Sequence, residues 1–196
     1  TGIIGLDRLI EGGFVKNSVI LVTGKTGTGK TLFCGSFLYA GALKGEKGIY
    51  ISTEESEEAI VQDIQSTFKN WKFEEMVKKG LIKIASVKPV LLSPSEVEIA
   101  KLLKIYINSV LEYVERAVKE NKVERVVIDS ISMIENFLKD IYLARVGLSY
   151  MIDKLRELKV TSILTGTIEE GSEKLSGSGI VEFLVDAVIK LDFVPV

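Results

Sequence analysis

The chain has 196 residues, 46% of them hydrophobic, which is enough for one well-filled core and short for two, so a single domain over residues 1–196 is expected. A formal net charge of −2 argues against a broadly basic nucleic-acid surface, and the absence of histidine excludes imidazole as general base, nucleophile partner or metal ligand. The single cysteine, Cys34, excludes an internal disulfide framework and fits a cytoplasmic location, while the longest uncharged run, Thr31 to Leu43, is too short to span a bilayer, so no membrane partner is expected.

In chain order, the first predicted element is a buried strand, Val19-Ile20-Leu21-Val22, within the stretch Ser18 to Thr23. It leads directly into Gly24-Lys25-Thr26-Gly27-Thr28-Gly29-Lys30-Thr31, after which Leu32, Phe33, Phe37, Leu38 and Leu43 recur at helical spacing. Strand, glycine-rich turn and helix in this order read as a phosphate-binding P-loop. Gly24, Gly27 and Gly29 permit the turn by which backbone N–H groups converge on an anion, with Lys25, Thr26 and Thr28 between them. Lys30 places an ammonium at the β- and γ-phosphates, Thr31 offers a hydroxyl to Mg2+, and the helix start points its positive end at the same charge. Cys34, inside that helix, reads as a buried small hydrophobe.

Beyond a turn over Gly45 to Gly48, Ile49 to Ser52 forms a second strand that ends in Thr53-Glu54-Glu55, so these carboxylates sit at a strand's carboxyl end. Helices follow from Ser56 to Phe68 and from Phe73 to Lys79, then a strand from Leu81 to Ala85. Ser93-Pro94-Ser95-Glu96 reads as a helix start, with Ser93 as N-cap, Pro94 at the first helical position and Glu96 closing a capping box. The stripe Ile99, Leu102, Leu103, Tyr106, Val110, Tyr113, Val114 and Ala117 is assigned to core packing. Asn121-Lys122 ends the helix, and Arg125-Val126-Val127-Ile128-Asp129 begins the next strand. A helix from Ile141 to Leu158 turns Ile141, Ala144, Leu148, Ile152 and Leu155 inward, Val160 to Thr165 is a strand, and Gly166 to Gly179 is a loop. A short helix over Val181 to Leu184 leads to a last strand, Ala187 to Phe193. This alternation predicts a three-layer αβα architecture with a mostly parallel sheet and its ligand at the strands' carboxyl ends.

An apolar strand ending in one carboxylate, as Val126 to Asp129 does, is the form of a Walker B strand. Its aspartate would approach Mg2+ through a water or through Thr31. On its own the pattern is common; behind a P-loop it gains meaning. Hydrolysis also needs a group that orients a water in line with the γ-phosphate, and without histidine the pair Glu54-Glu55 is the place to look, with either residue as base. The plainer alternative is that Glu54, Glu55, Glu57 and Glu58 are the acidic first turn of the following helix.

Thr1-Gly2-Ile3-Ile4-Gly5-Leu6-Asp7-Arg8-Leu9-Ile10-Glu11-Gly12-Gly13 resembles the TGxxGLDxLxxGG segment of RecA-superfamily ATPases of the KaiC-like and archaeal RadA-like group. Ser52-Thr53-Glu54-Glu55 is similar to the paired catalytic glutamates of KaiC-like domains, Arg125 to Ser132 to their Walker B segment, and Val181 to Ile189 to their VEFxADxVI stretch. The resemblance spans nearly the whole chain. It implies a RecA-like core that binds ATP, with adenine carried by the resemblance alone, and assembly into a hexameric ring or a filament. Family members extend into a β-hairpin whose lysine and arginine reach the neighbouring subunit's γ-phosphate; this chain ends at Val196, and Lys190 does not match that position. Residues 1–196 hold one set of these motifs and not the duplicated domain of the clock proteins, so a circadian role is not expected from the likeness.

In recombinase-like members, the loop matching Gly166 to Gly179 contacts single-stranded DNA. Here it sets Glu169, Glu170 and Glu173 against Lys174 and contains no aromatic residue, which suits neither phosphate contact nor base stacking. Lys139 and Arg145 are the basic residues that would line a ring's channel, although two basic residues are more often ordinary solvated surface. The favoured reading is a self-assembling Mg2+-dependent ATPase; the alternatives are a DNA-binding recombinase paralogue and a nucleotide-gated module with little turnover.

Overall fold

The computed structural model describes residues 1–88, 96–137, 141–168, 171, 172 and 174–194. Its strands are β1 (Val19–Gly24), β2 (Lys47–Ser52), β3 (Ile82–Ser86), β4 (Val123–Asp129), β5 (Thr161–Thr167) and β6 (Ala187–Leu191). They form one sheet in the order β3-β2-β4-β5-β1-β6 in which every pair is parallel. The helices are α1 (Ile4–Leu9), α2 (Lys30–Ala42), α3 (Glu57–Thr67), α4 (Phe73–Lys78), α5 (Glu96–Asn121), α6 (Ser132–Phe137) and α7 (Ile141–Glu157).

Parallel strands need crossover helices, and these cover both faces of the sheet, which is why the central strands are continuous apolar runs. Side chains alternate between faces along a strand. Val19 and Leu21 of β1 therefore join the core built with α5 and α7, while Ile20 and Val22 join the core built with α2, α3 and α4. The two cores and the shared sheet are the three layers expected from the strand–helix alternation.

Local chemistry sets the element ends. Ser56 caps α3 by accepting a hydrogen bond from Ala59 N at 3.3 Å, and Glu57 and Glu58 occupy the positive first turn. Lys122 ends α5 with φ of 56° and turns the chain into β4. Gly2, with φ of 88°, lies so close to α2 that an added Cβ would stand 2.7 Å from Ala40 Cβ, which seats the amino-terminal segment on the P-loop helix. Arg125 at the start of β4 donates to Glu46 Oε2 at 2.6 Å and to Phe37 O at 2.7 Å, with its guanidinium 4.7 Å from the Phe37 ring centroid. Trp71 is sandwiched between Phe68, at 3.9 Å between ring centroids, and Tyr39 of α2, at 4.6 Å.

Several expectations need correction. Ile141 is 62% exposed, not inward, because it opens α7 a turn ahead of Ala144, the first buried residue of that helix; Met151 joins Ala144, Leu148, Ile152 and Leu155 inside instead. Leu43 follows the last turn of α2 and is also 62% exposed. Helices α1 and α6 were not anticipated, the last strand ends at Leu191, and the short helix before it is one 3-10 turn, Val181–Phe183. The cap Ser93-Pro94-Ser95 and Lys139 lie outside the described residues, as do Glu169, Glu170 and Glu173.

Candidate functional site

The carboxyl ends of β1, β2, β4 and β5 meet at one edge of the sheet, and the residues singled out from the sequence lie there. Register brings Gly24 level with Thr167 on one side and Leu191 on the other. A Cβ on Gly24 would stand 2.5 Å from Leu191 O and 2.6 Å from Thr28 Oγ1, so the first position of the loop has no room for a side chain. Thr28 ties the loop to itself, its hydroxyl donating to Lys25 O at 2.8 Å, and Gly27 and Gly29 both adopt positive φ, 82° and 92°. Thr26 and Gly27 form the exposed tip.

Gly29 is the N-cap of α2, so Lys30 and Thr31 occupy the helix's first turn, where N–H groups lack intrahelical partners. The Lys30 ammonium bends over the loop and donates to Gly24 O at 2.8 Å and to Lys25 O at 3.0 Å. Burial pulls its pKa below the usual lysine range, against the opposing attraction of the Asp129 and Glu54 carboxylates. Cys34 is fully buried in α2, and burial pushes its thiol well above the usual range, so it packs as a small hydrophobe.

Asp129 closes β4 with both carboxylate oxygens engaged. Oδ1 accepts from Thr165 Oγ1 at 2.5 Å; Oδ2 accepts from the Tyr50 hydroxyl and, at 3.4 Å, from Thr31 Oγ1. Burial, followed by the Asp129 charge, pushes the Tyr50 hydroxyl well above its ordinary pKa, so it stays a proton donor. Thr31 and Asp129, 98 residues apart in sequence, are thus brought together, and hard oxygen donors of this kind suit Mg2+. Among the described residues no group of three or more His, Cys, Asp or Glu forms a separate metal cluster.

The glutamate pair sits on a shelf between β2 and β4. Thr53 N donates to Asp129 O at 2.8 Å, Ser130 N donates to Thr53 Oγ1 at 3.1 Å, and Ser130 Oγ donates to Glu54 Oε1 at 3.4 Å. The peptide joining Asp129 to Ser130 is cis. Ser52 Oγ accepts from Glu55 N at 2.9 Å. Both glutamate side chains reach solvent, and they precede α3 rather than forming its first turn, which belongs to Glu57 and Glu58. Partial burial, then the charges of Asp129, Asp63 and Glu54, push the Glu55 carboxyl above its ordinary pKa.

With this geometry in place, the matches to known proteins become decisive. A protein-family model described as ATPase: KaiC matches residues 1–195. The chain belongs to the KaiC ATPase family. Its curated relatives include the circadian clock protein KaiC2 of Synechocystis sp., 32% identical over 193 residues, which cover 98% of this chain and 32% of that protein. They also include the UPF0273 protein of Thermotoga maritima, 32% identical over 98% of this chain and 78% of that one, and UPF0273 protein PH0284 of Pyrococcus horikoshii, 29% identical over 98% and 76%. The chain therefore spans about a third of the length of the clock protein and about three quarters of the UPF0273 proteins. Family membership makes it a RecA-superfamily, ATP-binding P-loop protein.

Four polar residues of this KaiC-family chain escaped the sequence reading. Tyr50 and Thr165 lie inside strand runs, where only the sheet register brings them to Asp129. Ser130 carried no signal beyond following the aspartate. Glu135, on the unanticipated α6, is buried and accepts from Ser178 N at 3.0 Å and Ser178 Oγ at 2.6 Å, so it anchors the segment after β5. Among the described residues, no helix is long and apolar enough to cross a membrane.

Proposed function

We propose that the chain is a Mg2+-dependent ATPase domain over residues 1–196 that self-assembles, as a hexameric ring or a filament, with ATP at or near a subunit boundary. The observation that carries this reading is the convergence of Lys30, Thr31 and Asp129 at the carboxyl ends of β1 and β4, with Glu54 close enough to act on Lys30 electrostatically.

In this reading the P-loop, Gly24 to Thr31, wraps the phosphates with its backbone N–H groups, and Lys30 exchanges its two loop carbonyls for phosphate oxygens. Thr31 and Asp129 hold Mg2+, which when bound neutralises charge on the phosphate oxygens. The hydroxyls of Tyr50 and Thr165 keep the Asp129 carboxylate oriented before the metal arrives. Glu55 accepts a proton from the attacking water, a role its raised proton affinity favours, and Glu54, bonded to Ser130, orients that water. A loop that sets acidic residues where a DNA-binding loop needs cations speaks against a recombinase role.

The test is the steady-state Mg2+-ATPase rate at several protein concentrations, with and without single-stranded DNA. Per-subunit turnover that rises with protein concentration and ignores DNA supports the proposal. Strong stimulation by DNA moves the assignment to a recombinase paralogue. Tight ATP binding with negligible turnover at every concentration identifies a nucleotide-gated switch.

A further inference from the structure

Tyr50 is fully buried in the core that the sheet builds with α2, α3 and α4, yet its hydroxyl donates to Asp129 Oδ2. The register of β2 on β4 sets Ser52, not Tyr50, level with Asp129. Residues 50 and 52 share a face of the sheet, as do 127 and 129, so the phenol covers the two-residue offset by leaning along its strand toward the carboxyl end. A ring packed on every side has no second position to take, so the hydroxyl stays on that oxygen. Phenylalanine would fill the core equally well; the hydroxyl is there for the carboxylate.

Its effect lies in what the carboxylate can still accept. An ionised aspartate has about four acceptor sites, shared equally by its two oxygens. Oδ2 accepts from Tyr50 and, at 3.4 Å, from Thr31 Oγ1, so both of its sites are used. Oδ1 accepts from Thr165 Oγ1 at 2.5 Å and keeps one site open. Asp129 can therefore give a cation one point of contact, direct or through water, and cannot give both oxygens at once without breaking a hydrogen bond. That limit separates the two common hard cations. Mg2+ holds an octahedral shell, dehydrates reluctantly and takes few carboxylate contacts, whereas Ca2+ takes a larger and more flexible shell in which a carboxylate can bind through both oxygens.

We propose that Tyr50 is a metal-selectivity residue: by occupying Asp129 Oδ2 it denies the site two-oxygen coordination and so favours Mg2+ over Ca2+ as the companion of ATP. This rests on the ATPase reading above. The role is distinct from holding the carboxylate in place, a task that Thr165 shares. Loss of the Tyr50 hydroxyl leaves one open site on each oxygen, whereas loss of the Thr165 hydroxyl opens Oδ1 further and leaves Oδ2 closed.

The test measures affinity for a fluorescent ATP analogue with Mg2+, with Ca2+ and with chelator, in wild type, Tyr50→Phe and Thr165→Val, each well below its own melting temperature. Wild type is expected to gain more affinity from Mg2+ than from Ca2+. In Tyr50→Phe the ratio of the Mg2+ affinity to the Ca2+ affinity is expected to fall by roughly tenfold, the scale of one hydrogen bond to a charged group. Thr165→Val should keep the wild-type ratio, and in chelator Tyr50→Phe should bind as wild type does. An unchanged ratio in Tyr50→Phe overturns the assignment while leaving the ATPase reading intact, and so does an equal fall in Thr165→Val or weakened binding by Tyr50→Phe in chelator. A wild-type chain that gains equally from the two cations also overturns it, a comparison that needs no folded variant. No nucleotide binding by the wild-type chain under any of the three conditions overturns both.

Discussion

Thr165 donates its hydroxyl proton to Asp129 Oδ1 at 2.5 Å from the neighbouring strand, so the end of β5 holds the carboxylate that closes β4. Asp129→Asn keeps the shape but turns one acceptor into a donor, which must then face Thr165 on one side or Tyr50 and Thr31 on the other. We expect a stability loss of about 1–3 kcal/mol from the unmatched hydroxyls. We also expect ATP affinity to lose its dependence on Mg2+. Calorimetric titration with ATP in the presence of Mg2+ and of chelator checks this; an undiminished Mg2+ effect in the variant would remove Asp129 from the metal site.

Gly24→Ala places a methyl group 2.5 Å from Leu191 O, and backbone there is fixed by the pairing of β1 with β6. Overpacking against such a neighbour is expected to cost about 1–3 kcal/mol. Urea denaturation measures it directly. A variant with the wild-type midpoint would contradict the register of β6 on β1.

Glu55 gives a prediction with a definite sign. Its folded pKa is raised, so the folded chain binds that proton more tightly than the unfolded chain does. The resulting stabilisation is present in acid and is lost as pH rises through the raised value, leaving ionised Glu55 a burden at neutral pH. Glu55→Gln should therefore be at least as stable as wild type at neutral pH, with the difference shrinking toward about pH 4, the ordinary carboxylate range. Turnover should fall sharply in Glu55→Gln and in Glu54→Gln while ATP binding is retained. Unaltered turnover in both would leave them as the acidic lead-in to α3 and nothing more.

Arg125→Ala removes three contacts at once, to Glu46, to Phe37 O and to the Phe37 ring. It leaves a half-buried carboxylate and a carbonyl unpaired, and a loss of about 2–4 kcal/mol is expected. Since Arg125 sits at the start of β4, at the opposite end of that strand from Asp129, ATP affinity measured well below the melting temperature should not change.

The fold was readable because its signals are local. A glycine-rich turn between an apolar run and a helical stripe needs no distant partner to be recognised, and each buried strand announced itself by its composition. Strands such as β4 and β5 placed the Walker aspartate and its neighbours without ambiguity of element type. What could not be read is what depends on pairing between distant segments. Nothing in the sequence around Tyr50 or Thr165 distinguishes them from ordinary strand residues; only the order β2-β4-β5 delivers their hydroxyls to Asp129. Tyr106 was placed correctly, since periodicity assigns a residue to a face and its ring packs in the core as that assignment requires. Ile141 was misplaced because a stripe at 3.6-residue spacing does not mark where the packing beneath it begins.

Trp71, the sole tryptophan, lies between the rings of Phe68 and Tyr39, and Tyr39 sits on the same helix whose first turn carries Lys30 and Thr31. That sandwich gives the protein an optical probe of its own. Indole emission is sensitive to its surroundings, so separation of α2 from the segment between α3 and α4 can be followed by fluorescence without a label. Compared with far-ultraviolet dichroism, which averages over every helix, the two signals together reveal whether the P-loop layer melts with the rest of the molecule or ahead of it.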